Sequence, residues 1–170
     1  MSGYVVWLTG DRVRMDPLAE ALRGGLAGTA PSIDVFTAEM VEDKLCAHEP
    51  RNADFRDLVV RRLAWLCQVL ARNGGAAIAV AASPRRAVRE EARRDIGRFL
   101  EVLVHGTMQD GYEPPPEPAV EARALDSAFT VVEAVRRGLA ERGFVAQAPR
   151  VYTPEEEARV RDRVERLGYG

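Results

Sequence analysis

Tyr4-Val5-Val6-Trp7-Leu8-Thr9-Gly10 is a continuous apolar run that ends at a turn glycine, and Leu18-Ala19-Glu20-Ala21-Leu22 downstream opens a helical pattern. A run of that kind marks a strand buried on both faces, and the strand-turn-helix order that follows it marks the start of a layered α/β domain. Between the two lies Gly10-Asp11-Arg12-Val13-Arg14-Met15-Asp16-Pro17. A phosphate-cradling loop belongs at this place, with glycines that let backbone amides approach an anion and a Lys-Ser/Thr pair for charge and magnesium. After Gly10 the segment has no glycine, lysine or hydroxyl, and Asp11 and Asp16 would repel a triphosphate.

The chain of 170 residues is 46% hydrophobic and 29% charged, with a net charge of −2. This describes one globular domain with enough chain to bury a real core. The balance of charge gives no argument for nucleic-acid binding, and no apolar run reaches the length of a membrane span, so neither a nucleic acid nor a membrane is expected as a partner. With no signal-peptide pattern at its start, the chain is expected to be cytoplasmic. Lys44 is the only lysine and lies well outside the first strand-turn-helix unit. Cys46 and Cys67 lack any metal-ligand spacing and are expected as free thiols, and His48 and His105 form no spaced motif, so no metal site is expected.

Apolar runs alternate with helical patterns along the chain, which predicts a mostly parallel sheet with helices on both faces. Five strands are predicted: Tyr4 to Thr9, Ile33 to Phe36, Ala76 to Ala82, Phe99 to Val104 and Val120 to Leu125. Helices are predicted at Pro17 to Leu26, Met40 to Leu45 and Asp57 to Arg72, the last with Val59, Leu63, Leu66, Cys67 and Leu70 on its apolar stripe. A fourth is expected to start with Ser83 as N-cap and Pro84 at the first helical position, and to end at Ile96-Gly97. Its Arg85, Arg86, Arg89, Arg93 and Arg94 alternate with Glu90, Glu91 and Asp95 and read as a solvated, self-compensating face. Gly111 to Pro118 is a stiff connection, and Ser127 to Arg142 is the last domain helix. Trp7 and Trp65 sit within apolar patterns and are expected in the core.

In order along the chain, Tyr4 to Gly10, Leu70-Ala71-Arg72-Asn73-Gly74, Ala82-Ser83-Pro84-Arg85-Arg86 with Arg89-Glu90-Glu91, and Tyr112-Glu113-Pro114-Pro115 resemble segments of the adenylylsulfate kinases. The resemblance covers roughly residues 3 to 144. It implies a three-layer P-loop NTPase-like α/β fold built on a mostly parallel five-stranded sheet. It also implies an activity, phosphorylation of adenylylsulfate by ATP with magnesium, and places for the family's site residues. The phosphate loop falls on Gly10 to Pro17 and is degenerate. The carboxylates after the second strand fall on Thr37-Ala38-Glu39, leaving Glu39 as the candidate catalytic carboxylate, and the substrate arginine that follows falls on Glu42. The family's Asp-Arg-x-x-Asn falls on Phe55 to Val59, which keeps only Arg56, and its aromatic clamp falls on Pro50-Arg51-Asn52. Its lid is missing, since Val104 is followed by only His105 to Gly111 before the Tyr-Glu-Pro-Pro turn. Arg56, Arg62, Ser83 and Arg86 are the candidate ligand-binding residues; the alternative for Arg62 and Arg86 is that they form structural ion pairs.

Residues 1–144 are expected to form the domain, and 145–170 a linker and an amphipathic helix. Thr153 and Glu156 make a capping box for that helix, and Val160, Val164 and Leu167 give it a thin apolar stripe. The helix docks on its own domain or serves a second copy or another protein. The expected function is a relative that has lost ATP binding and works as a protein-binding or scaffold subunit, with no cofactor. One alternative is a remodelled site that takes an anionic small molecule, a nucleotide or a sulfated or phosphorylated ligand, with Glu39, Arg56 and Arg86. The other is a residual adenylylsulfate kinase, which alone would need ATP and magnesium.

Overall fold

Every residue of β1 (Tyr4–Gly10) is buried, because the strand is central in its sheet and covered on both faces. The computed structural model describes residues 3–146. β2 (Ile33–Thr37), β3 (Ala76–Val80), β4 (Phe99–Val104) and β5 (Val120–Ala122) complete the sheet in the order β2-β3-β1-β4-β5. All four neighbouring pairs are parallel, with Tyr4 opposite Ala76 and Val5 opposite Phe99. The helices are α1 (Arg12–Gly25), α2 (Ala38–Leu45), α3 (Phe55–Arg72), α4 (Arg86–Ile96) and α5 (Ala128–Glu141).

Side chains alternate across a strand with a period of two, so β1 feeds two separate cores. Val6 and Leu8 join Ile78, Val80 and Val102 under α1 and α5, while Val5 and Trp7 join Ala77, Ala79, Leu63 and Val88 under α3 and α4. Glu101, the one charged residue of β4, falls on the α3–α4 side. There the Arg89 guanidinium of α4 donates to it through Nε at 2.9 Å, and the two side chains are 1% and 2% exposed. Arg93 donates to its other oxygen. Arg89 also donates to the carbonyls of Ser83, at 2.6 Å, and Glu113, so one guanidinium joins α4, β4, the end of β3 and the connection between β4 and β5.

Several sequence expectations are corrected. The first helix starts at Arg12 and not at Pro17, because Asp11 is a competent N-cap and nothing in Arg12 to Asp16 opposes helix; Pro17 lies inside it. The fourth begins at Arg86, with Arg85 as N-cap, and neither Ser83 nor Pro84 belongs to it. β3 ends at Val80 and β5 at Ala122, because the chain leaves the ladder earlier than the apolar runs do. Arg89 is buried and not on a solvated face. Trp7 is fully buried, but Trp65 is 60% exposed, lying about 200° around α3 from the core residue Leu63. Cys46 and Cys67 are free and buried, and burial pushes the Cys67 thiol up. The predicted helix beyond Tyr152 lies outside the described residues.

Removing one partner of a buried ion pair strands the other charge. Glu101→Met leaves the Arg89 guanidinium buried with no counter-charge and is expected to lower the unfolding free energy by about 3–5 kcal/mol, measured by urea denaturation. A loss below about 1 kcal/mol would show that the pair is not needed to hold α4 on the sheet.

Candidate functional site

In open parallel sheets, ligands lie in the crevice beyond the carboxyl ends of the strands, where the strand order reverses. Here that crevice is bounded by the residues after β1, β2, β3 and β4. The chain passes from β1 into α1 with a single intervening residue, Asp11, so the helix begins at once. Gly10 permits the turn: its φ is +115°, and a Cβ there would lie 2.3 Å from the Val104 carbonyl oxygen.

Asp11 is 6% exposed. One oxygen of its carboxylate accepts from the backbone N–H of Val13 at 3.1 Å, and the other from that of Thr107 at 3.0 Å. Arg12 makes a two-point pair with Glu39, Nε to Oε1 at 3.0 Å and Nη2 to Oε2 at 2.9 Å, and its Nη1 meets Asp16 at 2.9 Å. Partial desolvation works against the charge on Glu39, but the hydrogen bonds from Arg12 outweigh it and hold the carboxyl below its usual range. Arg14 donates to the carbonyls of His105 and Arg123. Val13 is exposed, Met15 is in the core, and Asp16 and Pro17 continue the helix.

The remaining candidates are spread apart. Ser83 is buried, in the left-handed region at φ +41°, a conformation that costs a non-glycine residue energy. Its Oγ accepts from Trp7 Nε1 at 3.2 Å and lies 3.0 Å from Thr9 Oγ1, which is itself 3.0 Å from the Tyr112 hydroxyl. Burial raises the Tyr112 hydroxyl pKa. Arg62 is tied to Glu49 and to the Leu45 carbonyl, the ion pair foreseen as its alternative. Arg56 and Arg86 are both exposed, in the first turns of α3 and α4, and the Arg86 backbone N–H is capped by Glu113 Oε2 at 2.8 Å. Arg85 pairs with Asp57 at 3.0 Å. The structure therefore brings Glu39 together with the Gly10 to Pro17 segment through Arg12, and engages Arg62 and Ser83 within the protein.

Sequence patterns missed the Glu113 cap and the Thr9–Ser83–Tyr112 network, which join residues far apart in the chain. They also missed Glu101, although a lone carboxylate in the apolar run Phe99 to Val104 was a usable signal. Among the described residues no three His, Cys, Asp or Glu side chains group to hold a metal, and no helix is long and apolar enough to cross a membrane.

The family described as adenylylsulphate kinase matches residues 2–121. An adenylyl-sulfate kinase of Microcystis aeruginosa is 30% identical over 174 residues, covering 86% of this chain and 96% of its own. A probable adenylyl-sulfate kinase of Pyrococcus abyssi is 27% identical and covers 99% of both chains. In fold, the Mycobacterium tuberculosis APS kinase CysC, solved with AMPPNP and APS, superposes with a TM-score of 0.69 at 20% identity, over 81% of this chain and 98% of that one. With a family match over most of its described length, the chain belongs to the adenylylsulphate kinases.

Proposed function

We propose that this chain is an adenylylsulfate kinase relative that has lost ATP binding and works as a protein-binding subunit. One observation carries the reading: Asp11 places a carboxylate on the backbone N–H of Val13, in the first turn of α1, where the family's loop would receive a phosphate. A nucleoside triphosphate with its magnesium does not fit the residues present. No lysine or hydroxyl stands between Gly10 and Leu18, Arg12 is committed to Glu39 and Asp16, and Arg14 is committed to two carbonyls. Phosphoryl transfer rests on positioning and charge stabilisation, and these groups supply neither.

The protein-binding half of the reading is supported by an apolar strip on the outer face of α3. Trp65 is 60% and Val69 39% exposed, one turn apart, and Leu45 at 42% exposure lines a shallow hollow with Trp65, Arg61 and Arg62. An exposed tryptophan beside arginines has the composition of an interface anchor. The segment beyond residue 146 offers a second place for a partner or a second copy, as its amphipathic pattern suggests.

Calorimetric and thermal-shift titrations with MgATP, adenosine phosphosulfate and its phosphorylated product test the reading. No ligand is expected to move the melting temperature, whereas a true ligand at 100 times its Kd would add about 2.7 kcal/mol. MgATP binding with turnover would establish a residual kinase, and adenosine phosphosulfate binding without ATP would favour a remodelled small-molecule site built on Arg56 and Arg86.

The Arg12–Glu39 pair gives a second expectation. A carboxyl held below its usual range stabilises the fold above its unfolded pKa, and that contribution disappears as pH falls through the lower, folded value. Wild type should melt above Glu39→Gln at neutral pH, and the gap should close below about pH 4. A gap that stays constant on acidification would mean the pair adds nothing to stability.

A further inference from the structure

The connection from His105 to Glu113 runs over the carboxyl ends of β1, β3 and β4, and side chains from several elements hold it there. At its far end Tyr112 reaches Thr9 Oγ1 at 3.0 Å with its ring over the Arg89 guanidinium, and the Glu113 N–H donates to the Pro84 carbonyl at 2.9 Å. At its near end two fastenings come from the β1–α1 junction, beside the bond from the His105 N–H to the Ala122 carbonyl at 2.9 Å. Asp11 accepts from the Thr107 N–H at 3.0 Å, and Arg14 donates to the His105 carbonyl. Between them Met108 lies over the end of β1, its Cε 3.3 Å from where a Cβ on Gly10 would stand. Gly106 is shaped to this contact, with φ +151° and no room for a side chain, since a Cβ would fall 1.9 Å from the Asp11 carboxylate.

We propose that the β1–α1 junction is a clasp: the Asp11 carboxylate and the Arg14 guanidinium fasten the β4–β5 connection across the end of β1 and close the strand-end crevice from within. This rests on the reading that ATP binding is lost, and gives it a physical means. One oxygen of Asp11 caps α1 while the other holds Thr107, so the carboxylate does for two backbone segments what a bound anion would do for a glycine loop. Arg14 satisfies the His105 carbonyl at the start of the connection and the Arg123 carbonyl just past β5, and so fixes α1 to the chain on both sides of that edge strand.

The two roles of Asp11 are separable by Asp11→Asn. Asparagine caps a helix as well as aspartate does, but it has one acceptor oxygen, so the cap can be kept only at the expense of the Thr107 bond. Backbone hydrogen exchange on the whole chain is the measurement, with the exposed Asp110→Asn as control. In Asp11→Asn, the Thr107 amide should exchange about tenfold faster, while the His105 amide, bonded to the Ala122 carbonyl, the first turn of α1 and strands β1 and β3 keep wild-type protection. Arg14→Ala leaves the carboxylate in place and should loosen His105 to Thr107, which keeps the test available if Asp11→Asn does not fold. Unchanged exchange at Thr107 in folded Asp11→Asn would overturn the clasp, as would an increase confined to α1. Neither result bears on MgATP binding by the wild type, which is read separately by titration, so failure of the clasp and failure of the lost-ATP reading are distinguishable.

Discussion

The guanidinium of Arg89 is the point on which the upper half of this structure depends. It is almost wholly out of water, at 1% exposure, and its charge is tolerable only because Glu101 faces it at 2.9 Å and a carbonyl accepts from each of its other two nitrogens. Those carbonyls belong to Ser83 and Glu113, so neutralising one buried charge also positions the exit from β3 and the turn that crosses the sheet. The positive φ of Ser83 is the strained element in this arrangement. It persists because the carbonyl is drawn to Arg89 while the hydroxyl is held between Trp7 and Thr9.

None of this depends on a phosphate loop, which explains how the fold survives without one. The two cores are assembled by β1, β3 and β4 with α1 and α5 on one side and α3 and α4 on the other, and all of those contacts lie below the strand ends. At the strand ends the chain needs only a way to turn from β1 into α1. Gly10 supplies the turn, Asp11 supplies the cap, and the helix begins at once. The residues that replace the glycines are consequently structural: they complete a helix that a glycine loop would have delayed.

β1 and β4 were legible in the sequence because burial on both faces leaves continuous apolar runs, and they stand within a residue of where those runs place them, as does the half-exposed edge strand β2. The family was legible because its segments are specific and in order. The site was less so. Gly10 to Pro17 was read as an altered loop, but its helical start at Arg12 was hidden behind Pro17, which reads as a start signal even though a helix can carry it inside. Ser83-Pro84 gave a sound capping pattern and was still misleading, because the serine hydroxyl is claimed by Trp7 and Thr9, partners that no local pattern reveals. Arg89 looked like one of five arginines on a charged face. Its burial follows from the register of Glu101 beneath α4, a tertiary fact.

Charge ties these features to the reading of function. A site that transfers phosphoryl groups needs cations left uncommitted by the protein, so that charge developing on the substrate has something to meet. Around this crevice the arginines are largely spent. Arg12 serves Glu39 and Asp16, Arg14 serves two carbonyls, Arg85 serves Asp57, and Arg89 serves Glu101. An incoming anion would have to displace a carboxylate already held at hydrogen-bonding distance, losing there most of what it gained. Arg56 and Arg86 stand outside these pairs, but both are exposed, where water screens a guanidinium and leaves it little to offer in a transition state. The same residues that complete the helix start thus commit the nearby guanidinium groups internally, and that commitment is the electrostatic ground of the proposed reading.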